Sequence, residues 1–117
     1  MAEQIIYTTN IGEVPVYTPG GHSDTYNRRL IGSFMGSEHM EVILGEMEPN
    51  GGAEMHSHSD FEQASFILEG KLMIRTPDME VEVNPGDTLF IPKNVSHAIN
   101  CLEKSKFILI YSPPREK

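Results

Sequence analysis

Hydrophobic positions along the chain recur at short spacing, and nowhere do they sustain the period of an amphipathic helix. Runs rich in β-branched and aromatic residues appear one after another: IIYTT and VPVY near the start, MEVILGEM at 40–47, QASFIL from residue 63, then KLMIRT, MEVEV, TLFIP, SHAINC and KFILIYS. Turn formers stand between them, among them Pro19-Gly20-Gly21, Glu48-Pro49-Asn50-Gly51-Gly52, Glu69-Gly70, Pro77-Asp78, Asn84-Pro85-Gly86-Asp87, Lys93-Asn94 and Glu103-Lys104-Ser105. Glycine and asparagine tolerate the φ values of tight turns, and proline cannot donate to a ladder. Short antiparallel strands separated by turns are therefore predicted, and with them an all-β fold.

Some runs also say which way they face. MEVEV alternates cleanly, placing Met79, Val81 and Val83 on one side and Glu80 and Glu82 on the other. Pro15 puts VPVY at a sheet edge. In the polar run at residues 22–29, Arg28 and Arg29 are adjacent and cannot both point inward from a strand, so at most one is a site candidate. Pro113 and Pro114 end the last ladder.

Composition narrows what such a fold serves. With 117 residues, the chain forms one domain with one core. A net charge of -8 argues against nucleic acid and anionic membrane surfaces as partners. No apolar run approaches the roughly 20 residues that cross a bilayer. The single cysteine, Cys101, cannot form an internal disulfide, and MAEQIIYTTN lacks the basic start and apolar run of a secretory signal, so a cytoplasmic location is expected. Seven methionines point to a soft interior lining.

Candidate chemistry centres on residues 51–70. In a strand, His56 and His58 share a face with Cα atoms roughly 6 to 7 Å apart, close enough for two imidazoles to hold one ion. The competing reading is two histidines on a solvated face. Gln63 follows a four-residue spacer that can fold the next strand back past the first, and His97 is the only histidine of the second half. Glu54, two residues before His56, could act as a base or hold an imidazole N–H, or be an exposed strand-end acid. Arg75 could pair with a substrate carboxylate, or be solvated. His22 and His39 read as polar surface, and Cys101 as a small buried residue.

These residues resemble the two motifs of the cupin superfamily. The first is matched by His56, Ser57, His58, the spacer SDFE, Gln63, six residues and Gly70; the second by Gly86, five residues, Pro92, Lys93, Asn94, two residues and His97. Glutamine replaces the motif's acid, asparagine replaces a glycine at 94, and Cys101 stands where an asparagine ends the motif. Counting from Glu62 to Gly70 gives one residue too many, so Gln63 is preferred as the motif position. The resemblance covers about residues 40–112. It implies an antiparallel double-sheet jelly-roll β-barrel, a divalent transition metal (zinc, nickel, iron, manganese or cobalt) on His56, His58, Gln63 and His97, and a homodimer with residues 1–20 as an arm at its interface.

A neutral glutamine leaves the ion its full +2 charge and departs from the two-histidine, one-carboxylate pattern of non-haem iron oxygenases. The expectation is Lewis-acid chemistry of the isomerase or lyase type on a small anionic or carbonyl substrate. The alternatives are a non-catalytic ligand-binding or metal-binding module and, third, a metal-dependent dioxygenase. The closing YSPPR is similar to the end of small cupins that linearise unsaturated uronates. On that alignment Tyr111 falls near the metal, and Leu109 falls where that group has a catalytic aspartate.

Overall fold

The structure, a computed structural model, describes residues 6–116. It is nearly all β and antiparallel, with strands β1 (Val16–Tyr17), β2 (His22–Ile31), β3 (Glu41–His56), β4 (Glu62–Arg75), β5 (Glu80–Val83), β6 (Thr88–Ile91) and β7 (His97–Ser112). They form one sheet in the order β1-β2-β3-β7-β4-β5, with β6 also on β4, and among the described residues the ladder does not close into a ring. Two single 3-10 turns, Ile11–Glu13 and Ser33–Met35, are the only other regular elements there. VPVY survives as the two-residue β1 at the sheet edge, as Pro15 requires. The strand expected at IIYTT does not form over residues 6–9, and Met1–Ile5 lie outside the described residues.

Three expected turns are not chain reversals. β3 runs through Glu48–Gly52, β4 through Glu69-Gly70 and β7 through Glu103–Ser105. These segments lie side by side: Met47 pairs with Ser105 and Gly52 with Asn100, while Glu69 pairs with Lys106 and Lys71 with Glu103. The turn residues thus form one crease across three neighbouring strands. It continues into β2, where pairing with β3 slips between Ser23 and Thr25. Bulges bend strands and let them pass from one sheet direction to another, so turn chemistry is used here without ending the ladder.

Curvature at the crease brings distant residues together. A straight β7 would hold His97 and Tyr111 roughly 45 Å apart at about 3.3 Å per residue. Yet the His58 ring lies 5.4 Å from the ring of His97 and 6.3 Å from that of Tyr111, centroid to centroid. The two halves of the sheet therefore fold over one another and bury Ile43, Met47, Ile67, Leu72, Ile74, Val83, Phe107 and Leu109 between them.

At the crease, side chains take over the pairing that the bulged backbone gives up. Ser105 Oγ accepts from the Lys71 N–H at 3.1 Å and donates to the Glu103 carbonyl at 2.7 Å. The Cys101 thiol donates to the same carbonyl at 2.9 Å. Both residues are 1% exposed. Gly70, with φ of 91°, faces the Lys104 carbonyl and Ser105 so closely that a Cβ there would collide with both.

Two expectations about facing fail. Of MEVEV only Val83 is buried, while Met79 and Val81 are 56% and 36% exposed, because β5 pairs on one side only and ends the sheet. The methionines do not line the interior either: Met47 does, but Met40, Met55 and Met79 are exposed. Of the two adjacent arginines, Arg29 is the one paired inside the fold, donating Nε to the buried Glu41 at 2.6 Å. Glu41 also accepts the backbone N–H groups of Arg115 and Glu116, which ties the C-terminal segment to β3.

Candidate metal centre

His56 ends β3, His97 begins β7, and the two pair directly. His58 lies just past the strand, in the loop before β4 rather than on the regular strand the spacing argument assumed. That loop is pinned by the Asn94 N–H, which donates to the His58 carbonyl at 2.7 Å. Asn94 has φ of 66°, the left-handed conformation that asparagine tolerates in place of glycine. Ring centroids are 4.8 Å apart for His56 and His58 and 4.4 Å for His56 and His97. One nitrogen from each of the three rings lies within 4.8 Å of the other two.

Hydrogen bonds set the tautomers. His56 Nδ1 is 2.6 Å from the Glu54 carbonyl and His97 Nδ1 is 2.9 Å from the Val95 carbonyl. A carbonyl only accepts, so each Nδ1 carries the proton and each Nε2 keeps a lone pair. His97 is 1% exposed, and its Nε2 has no partner among the protein's own groups. Protonation is disfavoured too: burial, with help from His56, Arg115, His97 and His22, lowers the His58 pKa to about 4. Burial also lowers that of His97. Neutral imidazoles with free, converging lone pairs are what a transition-metal ion requires, so the residues present fit such an ion.

The surrounding cavity is narrow, with about 30 Å³ open to the centre of a water-sized sphere, room for an ion and a water or two. Gln63, second residue of β4 and 6% exposed, lines it. So does Tyr111, which packs against Phe61 with ring centroids 4.8 Å apart and whose pKa burial raises. Leu109 is there as well, and no aspartate or glutamate is among the described residues lining the cavity. Outside it opens a hollow of about 350 Å³ bordered by His22, His56, His58, Glu54 and Arg115.

The remaining candidates divide. Glu54 borders only the outer hollows, with its side chain exposed, because pairing slips between Ala53 and His56; its backbone carbonyl, not its carboxylate, holds the imidazole. Arg75 is exposed at the far end of β4, opposite Glu80, and takes no part in this cavity. His39 is surface, its side chain 86% exposed. Cys101 is buried at the crease and does not line the cavity. His22, expected on the surface, instead lines the cavity with its ring 6.0 Å from that of His56. Thr25, Asn27 and Ser65 add polar wall that the motifs do not mark.

Comparison with known proteins agrees with this fold. A family model described as "Cupin domain" matches residues 43–111. Quercetin 2,3-dioxygenase of Bacillus subtilis (strain 168) is 25% identical over 93 residues, which are 74% of this chain but only 28% of that protein. Among solved structures, the polyketide cyclase RemF from Streptomyces resistomycificus superposes with a TM-score of 0.82 at 24% identity, covering 97% of this chain and 83% of that one. KdgF from Halomonas sp. gives a TM-score of 0.79 at 16% identity, covering 94% and 97%. At these identities the structural likeness speaks for the fold alone. Because the family model covers more than half of the chain, including His56, His58, Gln63 and His97, the chain belongs to the cupin domain family.

Proposed function

We propose that the chain is a metal-dependent enzyme acting on a small anionic or carbonyl substrate by isomerase or lyase chemistry. A divalent transition ion would be held by His56, His58 and His97, with the Gln63 side-chain oxygen as fourth donor. The observation that carries this reading is the buried, unpartnered Nε2 of His97, a lone pair whose burial without a partner costs stability unless something binds it. Bound there, the ion supplies Lewis acidity undiminished by any carboxylate ligand. Gln63 orients it, Tyr111 and Phe61 exclude water from one side, and the outer hollow receives the substrate, a site of the size that takes small organic molecules. The folding over at the crease favours a double-sheet jelly roll. A cytoplasmic homodimer is the matching assembly, which sedimentation at micromolar concentration tests.

One observation favours a second reading, a non-catalytic binding module: with Leu109 in the wall, no carboxyl group is among the described residues lining the inner cavity to move a proton there. Oxygen chemistry, as the dioxygenase relative's name would imply, comes third, since the centre lacks a carboxylate ligand. The deciding experiment is metal analysis of untagged protein and of His58→Ala, followed by a panel of sugar acids and keto acids. One bound ion per chain, lost in His58→Ala, together with turnover supports the enzyme. Thermal shifts without turnover support the module, and protein that binds no ion sinks the enzyme.

A further inference from the structure

Strand β2 reaches the cavity with a change of phase. Thr25 and Asn27 are buried and line it, and unbroken alternation would put Ser23 beside them and His22 outside. His22 is the one that lines it. The extra residue responsible is Asp24, a non-glycine with φ of 47°, where pairing with β3 slips between Ser23 and Thr25. A bulge re-aims the side chains beyond it, and Thr25 pins this one by donating Oγ1 to the Ser23 carbonyl at 2.8 Å. A left-handed aspartate is strained, and such strain persists where its surroundings over-determine it.

The ring itself is fixed. His22 Nδ1 is 3.0 Å from the Gly20 carbonyl, so Nδ1 donates and Nε2 remains an acceptor. His22 is not one of the three residues whose ligand atoms approach within 4.8 Å of one another. It stands beside them, bordering both the narrow cavity and the outer hollow that His56 and His58 share. A small acid reaching the centre from that hollow passes against it.

We propose that His22 binds the ligand of this site: its Nε2 accepts a hydrogen bond from a hydroxyl of a small acid held at the three-histidine centre, and so selects hydroxylated acids over deoxy analogues. The proposal rests on reading the centre as metal-binding. A site built to pair a hydroxyl rejects the analogue lacking it, because the acceptor is then left unpaired.

The test is calorimetric titration of nickel-loaded, full-length protein with glycerate and with lactate, which share the carboxylate and 2-hydroxyl and differ in the 3-hydroxyl. Wild type is expected to bind glycerate about tenfold more tightly, the size of one net hydrogen bond. His22→Phe loses that preference with nickel content unchanged, and His22→Gln, which keeps an acceptor, retains part of it. Equal affinity of wild type for the two acids overturns the proposal, as does a preference that survives in His22→Phe. Loss of nickel in His22→Phe overturns it too, by making His22 a metal ligand. Wild type that takes up no nickel instead sinks the reading of the centre, and the proposal with it.

Discussion

The crease and the histidine end of the cavity are built from the same three long strands, and both bury polar groups, but they treat them in opposite ways. At the crease, Ser105 accepts from Lys71 and donates to Glu103, and Cys101 donates to Glu103, so these buried polar side chains have partners within the chain. At the histidine end, His97 Nε2 is buried with none. An unpaired buried polar group costs about 1–3 kcal/mol, whereas a paired one contributes modestly. Polar groups that the fold satisfies hold its shape; those it leaves open are available to a ligand. Damage to the crease should therefore unfold the protein, and damage to the centre should disarm it.

Gly70→Val is expected to be the most severe change. A Cβ there collides with the Lys104 carbonyl and Ser105, and a β-branched residue resists a φ of 91°. The expected cost is about 3 kcal/mol or more, read as a large fall in the denaturant midpoint or as failure to fold. A Gly70→Val protein of unchanged stability would mean that the crease is free to open.

Ser105→Ala comes next. It strips the Lys71 N–H of its acceptor and should cost about 1–3 kcal/mol by denaturant unfolding, with metal content per folded chain unchanged. His97→Leu sharpens the contrast. It fills similar space, and the gain from removing the open lone pair is offset by losing the Nδ1 bond to the Val95 carbonyl, so the stability of the metal-free protein should move by less than about 1 kcal/mol, while metal affinity falls at least about 100-fold. If His97→Leu destabilised the metal-free protein as much as Ser105→Ala does, the distinction between the two regions would collapse.

The same contrast explains what was legible in the sequence. His56, His58, Gln63 and His97 stood out because motif positions at fixed spacings leave a mark in the residues themselves, and turn clusters marked the β character. What those clusters would do was not legible. Glu48–Gly52 and Glu103–Ser105 have the composition of reversals, and only the neighbouring strands, bending at the same level, make them a crease. His22 was missed for a related reason. Its inward aim depends on one extra residue at Asp24, and a bulge shifts the phase of alternation without any characteristic residue type. Alternation also put Glu54 on the face of His56, and the slip between Ala53 and His56 leaves it at the outer hollow instead.

The smallest expected effect is the pH dependence of the metal-free protein. In the unfolded chain His58 titrates near 6.5, and in the native chain near 4, because burial and the neighbouring imidazoles oppose its charge. Above 6.5 both states are neutral and the residue contributes nothing to the pH dependence. Between 6.5 and 4 the unfolded state binds the proton and the native state does not, so stability falls as the pH is lowered through this window and levels off below it. His22 and His97 are lowered in the same direction and deepen the fall. The buried hydrogen-bonding side chains of the crease add nothing here: Ser105 does not titrate, and burial moves the Cys101 pKa upward, away from the window. Denaturant midpoints at pH 7.5, 5.5 and 4.5 should therefore drop more steeply for wild type than for His58→Gln, by a margin kept modest by the solvent that still reaches the ring. Parallel curves for the two proteins would show that the acid sensitivity arises away from the histidines, and the assignment of the titrating groups to the open region would fail.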